Sequence, residues 1–473
     1  MVSDVVTLFS QVLVRNYRLG APHMLNTAMT YDEALSYLST FINYETQQRI
    51  PYDPDHFSPA AFDAFLQPLG APHQAFPSVL IAGSKGKGST AVMVASILSQ
   101  SGLRTGLFVK PHLVTIRERT QIDRQLISPE AFAALVTELR DHLATTGQQP
   151  SIRFRTFFEL TTALTFLHFA RQQVDFAVVE VGLGGRLDTT NVLTPRVAVL
   201  TPIGLEHTRI LGDTLAAIAG EKAGIIKPQS CVVSAAQAPE VVEVFDKRCK
   251  AQNATLFLAG RDFNVHIKAA SQRGNVFRFE GFGHQLDDLY VPLIGVHQAA
   301  NAAVALAVVI QLQRQGWPIH EQHIRDGLAT VKWDGRLEVA GDNPRVVYDG
   351  AFTVESAQCL RQALIDLFTY QRLWLVLGIS NDKNRGAIID ILAPLAHEVI
   401  VTAFSNPRAC NPDILAAHVS QLDVPVHIAS GPVAAFDYAR QQAKADDLIC
   451  VAGSLFLLGE LKAHQQGLKP EFS

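Results

Sequence analysis

Short apolar runs separated by glycine-rich turns recur along the first half of the chain. They are Val79-Leu80-Ile81-Ala82, Thr105-Gly106-Leu107-Phe108-Val109, Phe176-Ala177-Val178-Val179-Glu180-Val181 and Val197-Ala198-Val199-Leu200-Thr201. Runs of this length and evenness predict strands buried on both faces, and helical patterns lie between them. After the first run, Ala91, Val94, Ala95 and Leu98 fall on one helical face, with Gly102 placed to end the helix. Residues 255–295 alternate instead, as in Asn264-Val265-His266-Ile267 and Val276-Phe277-Arg278-Phe279, with Gly281-Phe282-Gly283 as a turn. This predicts antiparallel hairpins that extend the sheet. An alanine-rich helix follows, from His297 to about Gln315. Beyond it, apolar runs at Arg345–Tyr348, Leu373–Leu377, Glu398–Thr402, Val424–Ile428 and Leu448–Val451 alternate with helical stretches, the pattern of a second, smaller doubly wound unit. Near the start, Thr30 and Glu33 have the spacing of a capping box. The fold class expected is therefore α/β.

Composition narrows the picture without redirecting it. A chain of 473 residues is too long for one ordinary core, so two domains, or three, are expected. Apolar residues at 48% and charged residues at 18% suit a soluble protein with large buried sheets. A net charge of -4 argues against a basic nucleic-acid-binding surface. No apolar run approaches the ~20 residues of a membrane span. Cys231, Cys249, Cys359, Cys410 and Cys450 are scattered, with no C-x-x-C pair, as expected of reduced thiols in a cytoplasmic protein. Residues 1–28 fit poorly with the patterned chain after them. Asp4 precedes the mildly apolar Val5–Leu13, with no basic segment or clear cleavage site, so a short helical extension is expected rather than a signal peptide. Met29 is then a candidate start.

The chemistry concentrates at Gly83-Ser84-Lys85-Gly86-Lys87-Gly88-Ser89, between the first strand and the first long helix. Glycines let successive backbone N–H groups converge on a phosphate, the helix N-terminus adds partial positive charge, and Lys87 adds a full one. The strict Walker pattern is not met, because Ile81 stands where its first glycine belongs and Gly88 follows the lysine. Glu180 ends a buried strand and is followed by Gly182-Leu183-Gly184-Gly185-Arg186-Leu187-Asp188, which fails as a dinucleotide fingerprint for want of its third glycine. A strand-end carboxylate beside a phosphate loop is placed to bind Mg²⁺.

These motifs, in this order, resemble the folylpolyglutamate and dihydrofolate synthases of the Mur ligase superfamily over about residues 30–465. The resemblance rests on Gly-x-x-Gly-Lys-Gly-Ser at 83–89, Glu-x-Gly-Leu-Gly-Gly-Arg-Leu-Asp-x-Thr-Asn at 180–191, Gly204-Leu205-Glu206-His207, Glu221-Lys222-Ala223-Gly224, His297-Gln298-x-x-Asn301, Trp333-Asp334-Gly335-Arg336 and Asp349-Gly350-Ala351. It implies a Mur-ligase-like fold: an extension at 1–28, an ATP-binding central domain at 29–330, a hinge at 331–340 and a C-terminal ligase domain at 341–473. It also implies ATP and Mg²⁺ as cofactors, with the phosphate loop Gly83–Ser89, Asn301, Arg336 and Asp349 on the nucleotide. Glu180, His207 and a carbamylated Lys222 would attend the metal, and Lys87, His207, Lys222 and Arg336 the chemistry. A monomer is expected, acting on a pterin or folate acid and an amino acid, without nucleic acid or membrane.

The chain departs from the family pattern at several places. Lys110 replaces the serine of Ser-Pro-His-Leu, and an ammonium has no lone pair for Mg²⁺. It is either a loop lysine or a direct contact to the γ-phosphate. Phe352-Thr353 replaces a His-Asn pair that lies toward the incoming amino acid, and Asn384 replaces the second aspartate of Asp-Lys-Asp, while Asn406-Pro407-Arg408-Ala409 is retained. Glutamate should then be used poorly unless Arg408 or another donor covers the loss. The rival readings are a ligase joining a different acid or amine, and an inactive nucleotide-binding paralogue.

Overall fold

The strand Ser78–Ala82 (β1) is apolar and wholly buried, and it lies near the centre of an eight-stranded sheet. The computed structural model describes residues 27–46, 52–146, 155–341 and 343–471. Except for Thr27 and Ala28, the expected N-terminal extension lies outside them. The other strands of this sheet are Thr105–Phe108 (β2), Thr120–Ile122 (β3), Gln125–Leu126 (β4), Phe176–Glu180 (β5), Val197–Leu200 (β6), Cys231–Ser234 (β7) and Thr255–Leu258 (β8). Their order is β4-β3-β2-β5-β1-β6-β7-β8, parallel throughout except for β3 and β4 at one edge. The side chains alternate between two cores. Leu80, Val179, Ala198 and Leu200 pack on one side with Phe157, Phe166 and Phe245, and Val79, Ile81, Val178 and Val199 pack on the other.

On that second side lies the helix Lys87–Gln100, which is not amphipathic as its four apolar positions suggested. Every residue from Ser89 to Leu98 is buried. The helices Val296–Arg314 and Glu321–Ala329 cover the faces that the sheet leaves open, and Ser96 donates to the carbonyl of Gly327 at 2.7 Å. Val296–Arg314, close to the helix expected from His297 to about Gln315, is the one helix among the described residues long and apolar enough to cross a membrane. Burial within the protein accounts for 78% of its apolar window.

Of the alternating region 255–295, only Thr255–Leu258 (β8) extends the large sheet, and it does so in parallel rather than as a hairpin. Phe263–Ser271 (β9), Gly274–Gly281 (β10) and His284–Val291 (β11) form a separate antiparallel sheet, with Phe282 and Gly283 both at positive φ in the expected turn. The separation arises just after β8. Gly260 takes φ +85, Ala259 bridges to Phe263, and Asp262 accepts from the Leu258 N–H at 2.7 Å, so the chain leaves the plane of the sheet. Phe277, Phe279 and Leu289 then pack with the buried Val296–Arg314 helix.

The C-terminal region builds a six-stranded sheet, ordered β12-β13-β17-β14-β15-β16. Its strands are Glu338–Ala340 (β12), Arg345–Asp349 (β13), Leu373–Leu377 (β14), Glu398–Val401 (β15), Val426–Ile428 (β16) and Leu448–Ala452 (β17). All pairs are parallel except β12 with β13, and β12 was not expected. The C-terminal ends of β1, β5 and β13 carry the groups of interest, where ligands of open α/β sheets gather.

Candidate active site

The phosphate loop leaves β1 through Gly83 at φ +150 and enters its helix through Gly86 at φ +79. The first helical bond runs from the Thr90 N–H to the Gly86 carbonyl at 2.9 Å, so the N–H groups of Lys87, Gly88 and Ser89 have no partner within the helix. Those of Ser84 and Lys85 are already used, both donating to the Pro202 carbonyl. The glycines are demanded by close neighbours. A Cβ at 83 would meet Thr201 Oγ1 at 1.9 Å, one at 86 would meet Asn301 Oδ1 at 2.4 Å, and one at 88 would meet the Trp333 ring at 2.8 Å. Trp333 therefore explains why Gly88 stands where a larger residue is usual. Asn301 is buried against the loop, its amide donating to Gln298.

Lys87 Nζ donates to the carbonyls of Gly83 at 3.0 Å and Ser84 at 3.4 Å, and lies 3.9 Å from Glu180 Oε1. Glu180 is buried, and burial raises its pKa against the pull of Lys87, Lys110, the Lys110 N–H at 3.2 Å, and Arg336. Lys222 reaches the same carbonyl of Gly83, at 2.8 Å. Burial, helped by Lys87 and Lys110, lowers its pKa to about 7, which makes a neutral amine accessible there. His207 heads the short turn Thr208–Leu211 at φ +53; its side chain is about one-third exposed, and desolvation together with the charges of Lys383, Lys110 and Lys222 lowers its pKa to about 3, which favours the neutral imidazole. Glu206 beside it is held down to about 2: burial works to raise it, and Lys85, Lys87, His207 and Lys383 overcome that.

The second sheet presents Arg336 and Asp349 to this cluster. Burial raises the Asp349 carboxyl to about 6, against Arg336 and the N–H groups of Leu337 and Ala351. The Leu337 N–H donates to it at 2.8 Å. Arg336 feels burial and the charges of Asp349 and Glu180. Lys110 shares its surroundings with Glu45, Lys87, Glu180 and Asp188, and burial lowers its pKa.

The sequence reading missed the use of three groups. Thr353 is the N-cap of the helix Val354–Leu367, bonded to Ser356, so its hydroxyl is occupied. Arg408 is committed to Asp382, at 2.6 and 3.2 Å, and to the Glu45 carbonyl at 2.8 Å. Phe352 lies under two ammonium groups, Lys85 and Lys383. The helix-cap spacing of Thr353 and Ser356 was readable; the long-range pairings carry no local signal.

For Mg²⁺, the described residues hold no group of three or more His, Cys, Asp or Glu that could form a cage. Mg²⁺ needs no such cage, being usually held by one or two carboxylates with phosphates and water. The buried carboxylate of Glu180 and the neutral imidazole of His207 are fitting donors.

Two family models match the chain: "Mur ligase middle domain" over residues 81–309 and "Mur ligase, glutamate ligase domain" over residues 335–455. The chain is 35% identical over 443 residues to a dihydrofolate synthase/folylpolyglutamate synthase of Mycobacterium tuberculosis, covering 90% of this chain and 88% of that one. It is 34% identical over 444 residues to a probable bifunctional folylpolyglutamate synthase/dihydropteroate synthase of Haloferax volcanii, covering 92% of this chain but only 50% of that protein. The structure of Mycobacterium tuberculosis folylpolyglutamate synthase complexed with ADP superposes with a TM-score of 0.83 at 34% identity, covering 93% of this chain and 100% of that one.

Proposed function

We propose, for a chain that belongs to the folylpolyglutamate synthase family of the Mur ligases, the ATP-dependent joining of L-glutamate to a dihydropteroate or reduced folate acid. A carboxylate oxygen of the acid attacks the γ-phosphorus and ADP leaves. The amine nitrogen then attacks the acyl carbon, losing a proton as phosphate departs. The observation that carries this reading is the facing of two charge sets. Unpartnered N–H groups and Lys87 stand at the helix start beside Glu180, with Arg336 and Asp349 opposite. Lys87, the loop N–H groups and Arg336 would neutralise charge on the transferring phosphoryl group, with Asn301 and Asp349 on the nucleotide side. Glu180 and His207 would hold Mg²⁺, with Lys222 joining them once carbamylated; the metal supplies further charge neutralisation when bound. The reading includes a cytoplasmic monomer.

Phosphate release by the purified protein tests it. With ATP, Mg²⁺ and a pterin acid, release should require an added amine, and glutamate should support it. Release that ignores the acid and the amine would overturn the reading. A second reading, a ligase using a different amine, is favoured by Phe352 together with the prior engagement of Thr353 and Arg408. The same assay crossed against the amino acids decides between them.

A further inference from the structure

Lys85 Nζ lies 4.9 Å from the centroid of the Phe352 ring, and Lys383 Nζ lies 5.1 Å from it. The three residues come from different places: the phosphate loop, the loop after β13 and the loop after β14. An aromatic face attracts an ammonium within about 6 Å, so one ring gathers two cations that would otherwise repel. Besides Glu355, whose charge also acts on Lys85, their counter-charge comes from two carboxylates. Glu206 Oε1 lies 3.5 Å from Lys85, and Asp382 lies 3.4 Å from Lys383 but is already gripped by Arg408. Lys85 Nζ is shut off from solvent and has no hydrogen-bond acceptor, although an ammonium carries three donors. Buried donors of this kind are normally met.

We propose that Lys85 and Lys383, held on Phe352, form an oxyanion site bridging the phosphate loop and the C-terminal sheet. The anion is a carboxylate of the amine substrate or an oxygen of the transferred phosphoryl group. Phe352 is its positioning residue, setting the two ammonium groups around one space without touching the anion. What arrives there rests on the ligase reading; that an oxyanion binds there does not.

The test uses full-length Phe352→Leu, Phe352→Tyr and Lys383→Met. Leucine keeps the apolar bulk and removes the ring face, whereas tyrosine keeps it. In Phe352→Leu, one constant should weaken about fivefold or more. If the KM for the amine rises while the Kd for ATP stays within about twofold, the anion is the carboxylate. If the Kd for ATP rises and the amine KM does not, it is the phosphate. Lys383→Met should move the same constant, and Phe352→Tyr should restore it. Unchanged constants in Phe352→Leu would overturn the site, as would equal impairment by leucine and tyrosine, which marks packing alone. If the wild type turns over no acid–amine pair, the ligase reading fails and the site is read by binding. Inorganic phosphate added to the ADP-loaded protein should raise the Tm of wild type and of Phe352→Tyr but not of Phe352→Leu. Equal rises in all three would overturn it.

Discussion

Lys87 places a fixed cation at the helix start, its ammonium lying against two loop carbonyls and 3.9 Å from Glu180. Lys87→Ala removes the fixed cation from the helix start and should weaken ATP binding by about 1.5–3 kcal/mol, the cost of a charge-assisted hydrogen bond. Titration of the mutant with ATP·Mg at wild-type affinity would remove the loop from the nucleotide site. Lys110 invites the opposite change. Its N–H already fixes Glu180, but its side chain brings a cation into the place from which Mg²⁺ would be held. Lys110→Ser trades that cation for a hydroxyl with lone pairs, so Mg²⁺ should bind more tightly to the ADP-loaded protein. Calorimetric titration checks this, and weaker Mg²⁺ binding would contradict it.

At the scale of elements, Gly327 shows how two effects of similar size can be separated. Helix propensity favours Gly→Ala by about 1 kcal/mol. A Cβ at Gly327 would sit 2.5 Å from Ile97 Cα, which is backbone and cannot swing away. Overpacking of that kind costs about 1–3 kcal/mol, so Gly327→Ala should destabilise the protein in urea titration; a stabilised variant would show that the two helices separate freely. The same crossing explains a limit of the sequence. Its parallel strands were readable because Val79–Ala82, Val197–Leu200 and Leu373–Leu377 are uniformly apolar, and the motifs sit at their C-terminal ends as loop chemistry requires. Ala91 and Leu98 showed a helix with a buried side, but not that helices from residues 296–329 would bury the remainder. Alternation at Val276-Phe277-Arg278-Phe279 gave the strand but not its sheet, which the local bend at Gly260 and Asp262 decides. Phe352 looked like the deletion of a cation, and its two lysines arrive from distant loops.

Across the whole molecule, one chain of contacts ties the N-terminal segment, the loop after β2 and the C-terminal tail. The Arg119 guanidinium is buried and grips Glu45 at 2.6 and 3.0 Å, while its Nε donates to His112 Nδ1 at 2.9 Å. His112 Nε2 faces the Glu471 carbonyl in a short contact, and the Glu471 carboxylate accepts from Tyr31, Thr115 and the Ile116 N–H. Protonating His112 would place a proton on the nitrogen that accepts from Arg119, and a second cation beside it. Burial first, and then Arg119, lowers its pKa from 6.5 to about 3. Between those values the unfolded chain binds the extra proton, so this contribution is complete above 6.5 and is lost as the pH falls toward 3. The slope is at most about 1.4 kcal/mol per pH unit. Glu45, also held at about 2 (burial raises it, Arg119 more than offsets this), acts in the same direction, but only below its unfolded value of 4.5. Of these two groups only the histidine contributes between 4.5 and 6.5, and comparison with a variant lacking it removes the other groups that titrate there, His207 and Asp349 among them. His112→Asn retains hydrogen-bonding capacity without titrating. Unfolding free energies measured across that interval should fall more steeply with acid in wild type than in His112→Asn, and parallel curves would show that His112 is not held neutral by this contact chain.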